Sequence, residues 1–129
     1  MQKQHKSSSE ANWITFSHLA QGAILWDDEE IGRLSSDVGC SSDLQGAIPK
    51  EARYLRRIEI DSKLRGRGLG TLAMQEWEKA LKQNGYRVIY LIPDNRKLVK
   101  FYQRLGYEVT KDISTRTSRK PSLMKKTLR

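Results

Sequence analysis

The run Arg65-Gly66-Arg67-Gly68-Leu69-Gly70-Thr71 holds the residue types best suited to binding an anion. It joins an apolar, β-branched stretch, Tyr54 to Asp61, to a segment whose helical pattern opens near Leu69. Glycines let successive backbone N–H groups converge on an anion without Cβ interference, and a helix N-terminus adds unpaired donors and the positive end of its dipole. The anion expected is a phosphate or pyrophosphate. Spacing excludes a Walker loop, because Gly70 is followed by Thr71 and Leu72 rather than by Lys and Ser/Thr. It also disfavours the dinucleotide fingerprint Gly-x-Gly-x-x-Gly, since Thr71 and Ala73 stand where its last glycine would fall. Tyr86-Arg87 occupy the place of its ribose-binding acid.

Read as Arg-x-x-Gly-x-Gly, with Arg65, Gly68 and Gly70, the loop resembles the acyl-CoA pyrophosphate loop of the GNAT superfamily of N-acyltransferases. The block Asn95 to Tyr107 looks like that family's Asn-x-x-Ala-x-x-x-Tyr-x-x-x-Gly-Phe/Tyr helix at the expected distance downstream. The resemblance is carried by about Tyr54 to Tyr107. It implies that acetyl-CoA lies with its pyrophosphate on the backbone N–H groups of Arg65, Gly66, Arg67, Gly68, Leu69, Gly70 and Thr71. The pantetheine arm then wedges between splayed strands at Ile58 to Ile60 and Val88 to Ile92. Arg65 and Arg67 are either salt partners of the phosphates or solvated loop arginines.

The reaction implied by the resemblance is direct attack of a neutral amine on the thioester within a ternary complex. A lysine-type amine has a pKa near 10.4, so it must lose a proton to a base or to ordered water. By the same resemblance a backbone N–H at about Ile60, on a bulged part of its strand, meets the oxyanion. Tyr102 is either the group that protonates the departing thiolate or a helix residue packed on the core. Asn95 binds the pantetheine, caps its helix, or does both. Many relatives carry glutamate eleven residues before the motif arginine, where this chain has Tyr54. Glu59, Glu51 and ordered water are therefore all candidates for the base. Tyr54 and Arg56 are candidate acceptor-side residues, Arg56 suiting an acceptor with a carboxylate or being a solvated strand charge.

These groups need a scaffold, and the pattern supplies one. Trp13 to Phe16 suits a strand, and Gly22 to Trp26 and Ile31 to Ser35 flank Asp27-Asp28-Glu29-Glu30 as a hairpin. Asp37 to Lys50 is a long connection that could border the acceptor. Alternation over Arg53 to Asp61 puts Tyr54, Arg56, Ile58 and Ile60 on one strand face and Leu55, Arg57 and Glu59 on the other. Leu69, Leu72, Ala73, Trp77, Ala80 and Leu81 form one face of a helix closed by Asn84-Gly85. Arg87 to Ile92 is a second buried strand, parallel to the first across the helix. A helix follows, capped by Asp94 or Asn95 and ended by Gly106. Tyr107 to Lys111 and Ser122 to Leu128 are strands joined by a basic loop with Arg116, Arg119 and Lys120.

The expected fold is α/β (α+β): a mixed, mostly antiparallel sheet splayed between its fourth and fifth strands and flanked by helices. Too few residues precede Gly22 for the two helices that the family usually places after its first strand, so these are expected to be short or absent. Residues 1–12 read as a polar, disordered arm and 13–129 as a single domain. The 129 residues carry a formal charge of +9, unevenly placed. Residues 1–52 hold four Lys/Arg against eight Asp/Glu, and residues 53–129 hold twenty against seven. The basic half contains the glycine loop, which suits an anionic cofactor, a nucleic acid or an acidic protein partner.

No apolar run is long enough for a membrane span, and a cytoplasmic protein is expected. One cysteine, Cys40, and two scattered histidines leave no basis for a disulfide or a metal site. The reading is an N-acetyltransferase acting on a primary amine, a protein lysine or N-terminus ahead of a polyamine or other small amine. The alternatives are a noncatalytic CoA-binding module and a basic nucleic-acid- or protein-binding module.

Overall fold

The computed structural model describes residues 14–116 and 121–129, so the arm expected over 1–12, Trp13, Arg119 and Lys120 lie outside the described residues. Polar–apolar alternation sets up the first hairpin. Strand β1 (Ile14–Phe16) leads into β2 (Gln21–Trp26), which turns back as β3 (Glu29–Asp37) through Asp27-Asp28, both at positive φ. Two-residue hairpin turns need that backbone, and aspartate tolerates it better than bulky residues do. The turn is thus shorter than the four acidic residues suggested, with Glu29 and Glu30 already in the strand. After a long connection come β4 (Ala52–Ile60), helix α1 (Leu69–Gln83), β5 (Val88–Leu91), helix α2 (Arg96–Arg104), β6 (Glu108–Val109) and β7 (Met124–Thr127).

The strands form one sheet in the order β1-β2-β3-β4-β5-β7-β6, antiparallel except for the parallel pair β4–β5. Only the four residues Ser17–Ala20 separate β1 from β2, so the two helices that the family places there are absent. The short connection is pinned from two sides. Trp77 of α1, fully buried, donates its Nε1–H to the Leu19 carbonyl at 3.0 Å. Ser36 of β3 donates both its N–H and its hydroxyl to the Ala20 carbonyl, and buried Arg53 donates to the same hydroxyl at 2.8 Å.

Two apolar clusters flank the sheet. Side chains of β5 alternate between them, with Ile89 and Leu91 on the side of both helices and Tyr90 and Ile92 on the other. Strand β4 does not alternate regularly. Opposite β3, Ser35 pairs with Arg57 but Ser36 with Leu55, so Arg56 is an extra residue, a β-bulge. Tyr54 consequently packs with Leu44 and Tyr90 on the face that carries no helix among the described residues, the helix-free face, while Leu55, Ile58 and Ile60 pack toward the helices. A regular strand would have kept Tyr54, Ile58 and Ile60 together. The bulge moves Tyr54 to the opposite side and brings Glu59 round to its face.

On the helix-free face, two connections close over the sheet instead of helices. Leu44 bridges Thr115, Gln45 donates its N–H to the Ser114 carbonyl, and Arg116 donates through Nε to the Leu44 carbonyl at 2.8 Å. The expected basic loop is thus partly a fastener. Cross-strand neighbours Tyr54 and Tyr90 moor the two segments by donating to Asp43 and Asp112 respectively. The last strands are shorter than the pattern suggested: beyond Val109 one further backbone bond, Thr110 N–H to the Leu123 carbonyl at 2.9 Å, continues the pair, and Asp112 then meets Tyr90 and Lys125.

The helices are locked to the sheet by a nearly buried carboxylate, Glu78 of α1, which accepts from the Tyr107 hydroxyl at 2.8 Å and from Lys126 Nζ at 2.7 Å. Lys126→Met leaves that charge without its cation. Because 26% of the lysine side chain remains exposed, the expected loss is about 2 kcal/mol rather than the larger cost of a fully buried pair. Urea unfolding of Lys126→Met against Lys126→Met/Glu78→Gln measures it. The double variant is expected to recover most of the loss, since the amide oxygen still accepts from Tyr107.

Candidate active site

The site begins where two parallel strands part. Pairing of β4 with β5 covers only Ala52–Leu55 against Val88–Leu91. Past Leu91 the chain turns away through Ile92 and Pro93, which has no N–H to continue a ladder, while β4 runs on to Ile60. Successive peptide groups of a strand point to alternate edges. Asp61 donates its N–H to the Ile31 carbonyl of β3 at 2.8 Å, so the N–H groups of Ile60 and Ile58 point the other way, into the gap left by β5.

A cleft of about 670 Å³ occupies this gap. Its floor is Ile58, Glu59 and Ile60. One wall is the glycine turn with the first turn of α1, and the other is the N-terminal half of α2. Gly66 and Gly68 adopt φ of 83° and 77°, and Gly68 is the N-cap of α1 with no side-chain capping bond. A Cβ at either glycine would meet no atom within 4 Å. Glycine is therefore required by the left-handed backbone and not by crowding. The helix makes its first internal bond from Leu72 N–H to the Gly68 carbonyl, which leaves the N–H groups of Leu69, Gly70 and Thr71 without a partner among the described residues. No acidic residue occupies the first turn, so the positive end of the dipole is uncompensated.

Arg65 donates through Nε to the Ile60 carbonyl at 3.0 Å, folding the turn back onto the end of β4 and leaving its terminal nitrogens to meet an anion. Arg67 is exposed and does not border the cleft. On the far wall, the Asn95 side-chain oxygen accepts from Leu98 N–H at 3.1 Å, the expected cap, which leaves its amide N–H₂ as a donor. Tyr102 borders the cleft with 6% of its surface exposed. Its ring is held edge-on between Phe101 and Tyr107, at centroid distances of 5.0 and 5.6 Å. Burial, with a smaller contribution from Asp94, pushes its hydroxyl up to about 12. The phenol is accordingly neutral at any ordinary pH.

The structure thus brings Ile58, Ile60, Arg65, Gly66, Gly68, Leu69, Gly70, Thr71, Asn95 and Tyr102 to one cleft, bordered by Glu59, and leaves four of the sequence candidates outside it, Arg67 and three more. Tyr54 is buried on the helix-free face, and burial together with its bond to Asp43 holds its hydroxyl far above the usual phenol range. Arg56, the bulge residue, reaches Asp37 at 3.6 Å. Glu51 precedes β4 at its opposite end, roughly 25 Å of strand away from Glu59. Glu59 is itself exposed and paired with Arg57 at 3.3 Å.

Leu64, Met74, Asp94, Lys97, Leu98 and Phe101 also line the cleft and were not among the site residues expected from the sequence. Phe101 carried a signal in its place one residue before Tyr102 on the same helix flank as Lys97 and Leu98. Its ring tip would lie 3.7 Å from a Cβ on Gly70, which closes the inner end between the two helices.

A sequence model of the acetyltransferase (GNAT) family matches residues 2–107. The chain belongs to this family. An uncharacterised N-acetyltransferase of Methanocaldococcus jannaschii is 29% identical over 80 residues, which are 60% of this chain and 34% of that protein. The chain therefore spans about a third of the length of that curated relative. An acetyltransferase from Thermus thermophilus superposes with a TM-score of 0.64 at 22% identity, over 84% of this chain and 63% of the other. A PaiA N-acetyltransferase from Thermoplasma acidophilum, solved in complex with coenzyme A, gives 0.59 at 19% identity, over 81% and 58%. These likenesses agree with the GNAT-like mixed sheet described above.

The cleft fits acetyl-CoA on its own features: open helix donors for a pyrophosphate, free strand-edge groups for the amides of a pantetheine arm, and an apolar inner end. Gly68→Glu places a carboxylate and a strained backbone where those donors converge. It is expected to lower acetyl-CoA affinity by more than roughly a hundredfold, read by calorimetric titration. Unchanged affinity in a variant that still melts cooperatively would remove the turn from the binding site.

Proposed function

We propose that this chain is an acetyl-CoA-dependent N-acetyltransferase whose acceptor is the primary amine of a polypeptide, a lysine side chain or an N-terminus. The observation that carries this reading is the shared cleft, in which the unpaired strand edge of β4, the open N-terminus of α1 and Tyr102 border one space. A macromolecular acceptor is supported by the absence of helices between β1 and β2, which leaves the acceptor side less enclosed than a pocket built for a small metabolite.

In this reading the backbone N–H groups of Leu69, Gly70 and Thr71, with Arg65, hold the pyrophosphate, and the β4 edge aligns the thioester arm as an added strand. The Ile60 N–H, directed into the gap, is the donor for the oxyanion that develops as the amine adds to the thioester carbonyl. Glu59, on the rim and solvated, takes the amine's proton directly or through water.

Tyr102 acts on the other side of the reaction. A thiol has a pKa near 8.5 and this phenol one of about 12, so complete proton transfer from Tyr102 to a departing thiolate would run uphill by roughly three orders of magnitude. The hydroxyl therefore works as a hydrogen-bond donor to the developing thiolate, and the proton released by the amine completes the thiol.

Tyr102→Phe keeps the ring packing and removes only that donor. Turnover is expected to fall about a hundredfold with the acetyl-CoA KM within about twofold. Because the phenol stays protonated until about pH 12, the wild-type rate is expected to climb as the amine deprotonates toward pH 10, with no decline from Tyr102 in that range. Stopped assays of CoA release from pH 6 to 10 test both statements. Equal turnover in the variant would take Tyr102 out of the chemistry.

A further inference from the structure

A second groove, of about 710 Å³, lies along the other flank of α2. Arg96, Val99 and Lys100 form one wall, and Val109, Pro121 and Met124 the other. Its mouth meets the acetyl-CoA cleft, because Asp94 and Asn95 border both. Helix α2 is thus a partition between two clefts that join at its N-terminus.

The helix carries Arg96, Lys97, Lys100 and Arg104 and no acidic residue, and none of these cations forms an ion pair among the described residues. Like charges one turn apart destabilise a helix, so Arg96 and Lys100 on the groove wall are a cost that an acidic ligand would offset. The opposite wall is uncharged and mostly apolar, with Ser122 its one polar residue among those described, and Val109 is 53% exposed there. Among the described residues no aromatic side chain borders the groove. Phe101 and Tyr102 face the other cleft and Tyr107 is buried, so nothing is presented on which nucleic-acid bases would stack. Carboxylates on a polypeptide fit this chemistry better than phosphates on a base-bearing strand.

Spacing refines the ligand. Arg96 and Lys100 are separated by about 6 Å along the helix axis. In an extended chain, residues two apart lie on one face and about 6.6 Å from each other.

We propose that the α2 groove docks an extended acidic segment of the acceptor, with carboxylates at alternate residues meeting Arg96 and Lys100, and that the acceptor amine enters the cleft past Asp94 and Asn95. The inference rests on the acetyltransferase reading given above and names its substrate class: a polypeptide with an Asp/Glu-x-Asp/Glu segment beside the acetylated amine.

The test uses the full chain and two labelled peptides with one free lysine each, one with glutamate at alternate positions and one with glutamine in the same places. Fluorescence anisotropy is expected to show the glutamate peptide bound roughly tenfold more tightly at low salt, with the preference shrinking as salt rises. Arg96→Glu/Lys100→Glu should abolish the preference and raise the KM of the glutamate peptide, leaving calorimetric acetyl-CoA affinity and CoA release with a small amine unchanged. Arg96→Gln/Lys100→Gln should fall between, and thermal melting establishes that each variant is folded.

Equal affinity for the two peptides overturns the proposal. So does tighter binding of an oligothymidylate than of the glutamate peptide, which would make the groove a nucleic-acid surface. Loss of acetyl-CoA affinity in the charge-reversed variant overturns it as well, by assigning the groove to the cofactor. Retained preference for the glutamate peptide without CoA release from any amine would instead overturn the acetyltransferase reading and leave the acidic docking surface standing.

Discussion

Four residue pairs hold β4 to β5, and the site exists because there is no fifth. A parallel pair that continued would use the β4 edge groups in a ladder and leave no space between the strands. By diverging, the chain leaves the peptide groups of Ile58 and Ile60 facing a gap, a costly arrangement in a protein interior unless water or a ligand satisfies them. Pro93 prevents the gap from closing by further pairing, and the two helices then supply its walls. The glycine turn is tied to the same strand end, since Arg65 bonds the Ile60 carbonyl. Donors from a strand edge and donors from a helix end are therefore fixed relative to each other by one short stretch of chain.

The bulge at Arg56 is the second constraint. Without it, Tyr54 would stand on the face of Ile58 and Ile60, and a bulky buried phenol would lie toward the helices. With it, the lower half of β4 serves the helix-free core through Tyr54, and the upper half lays Ile58 and Ile60 toward the cleft. Extra residues of this kind re-aim side chains without altering the strand order. Glu59 alternates with Ile58 and Ile60 beyond the bulge, so its side chain stands on the opposite face from theirs and keeps a carboxylate at the rim rather than beneath the ligand.

Helix boundaries, the parallel pair, the glycine turn and the cap at Asn95 were legible in the sequence because each depends on local chemistry: periodicity, glycine freedom, a side chain that bonds three residues on. The bulge was not, because nothing in Leu55-Arg56-Arg57-Ile58 distinguishes a regular alternation from one with an inserted residue. Only the partner strand, with Ser35 and Ser36, decides it. The roles of Asp43, Asp112 and Arg116 were hidden for a related reason. They act across large sequence separations on Tyr54, Tyr90 and Leu44, whereas a polar loop and a mooring loop have the same composition. Met74 and Leu64 line the cleft through tertiary placement alone. Phe101 stood closest to being found, one residue from Tyr102 and on the flank that faces the glycine turn.

The short connection after β1 bears on specificity through packing. A sheet that lacks the helices found elsewhere in its family must bury its first hairpin by other means, and here α1 does so through Trp77 and its bond to Leu19. The helix whose open N-terminus borders the cleft is therefore also the helix that holds the N-terminal strands. On the other face, the segments moored by Asp43 and Asp112 protect the sheet near its centre without extending over the upper end of β4, where Glu59 remains exposed. Protection of the core and access to the cleft are assigned to different parts of the sheet. The first hairpin can consequently be buried without helices between β1 and β2 while the upper end of β4 stays open.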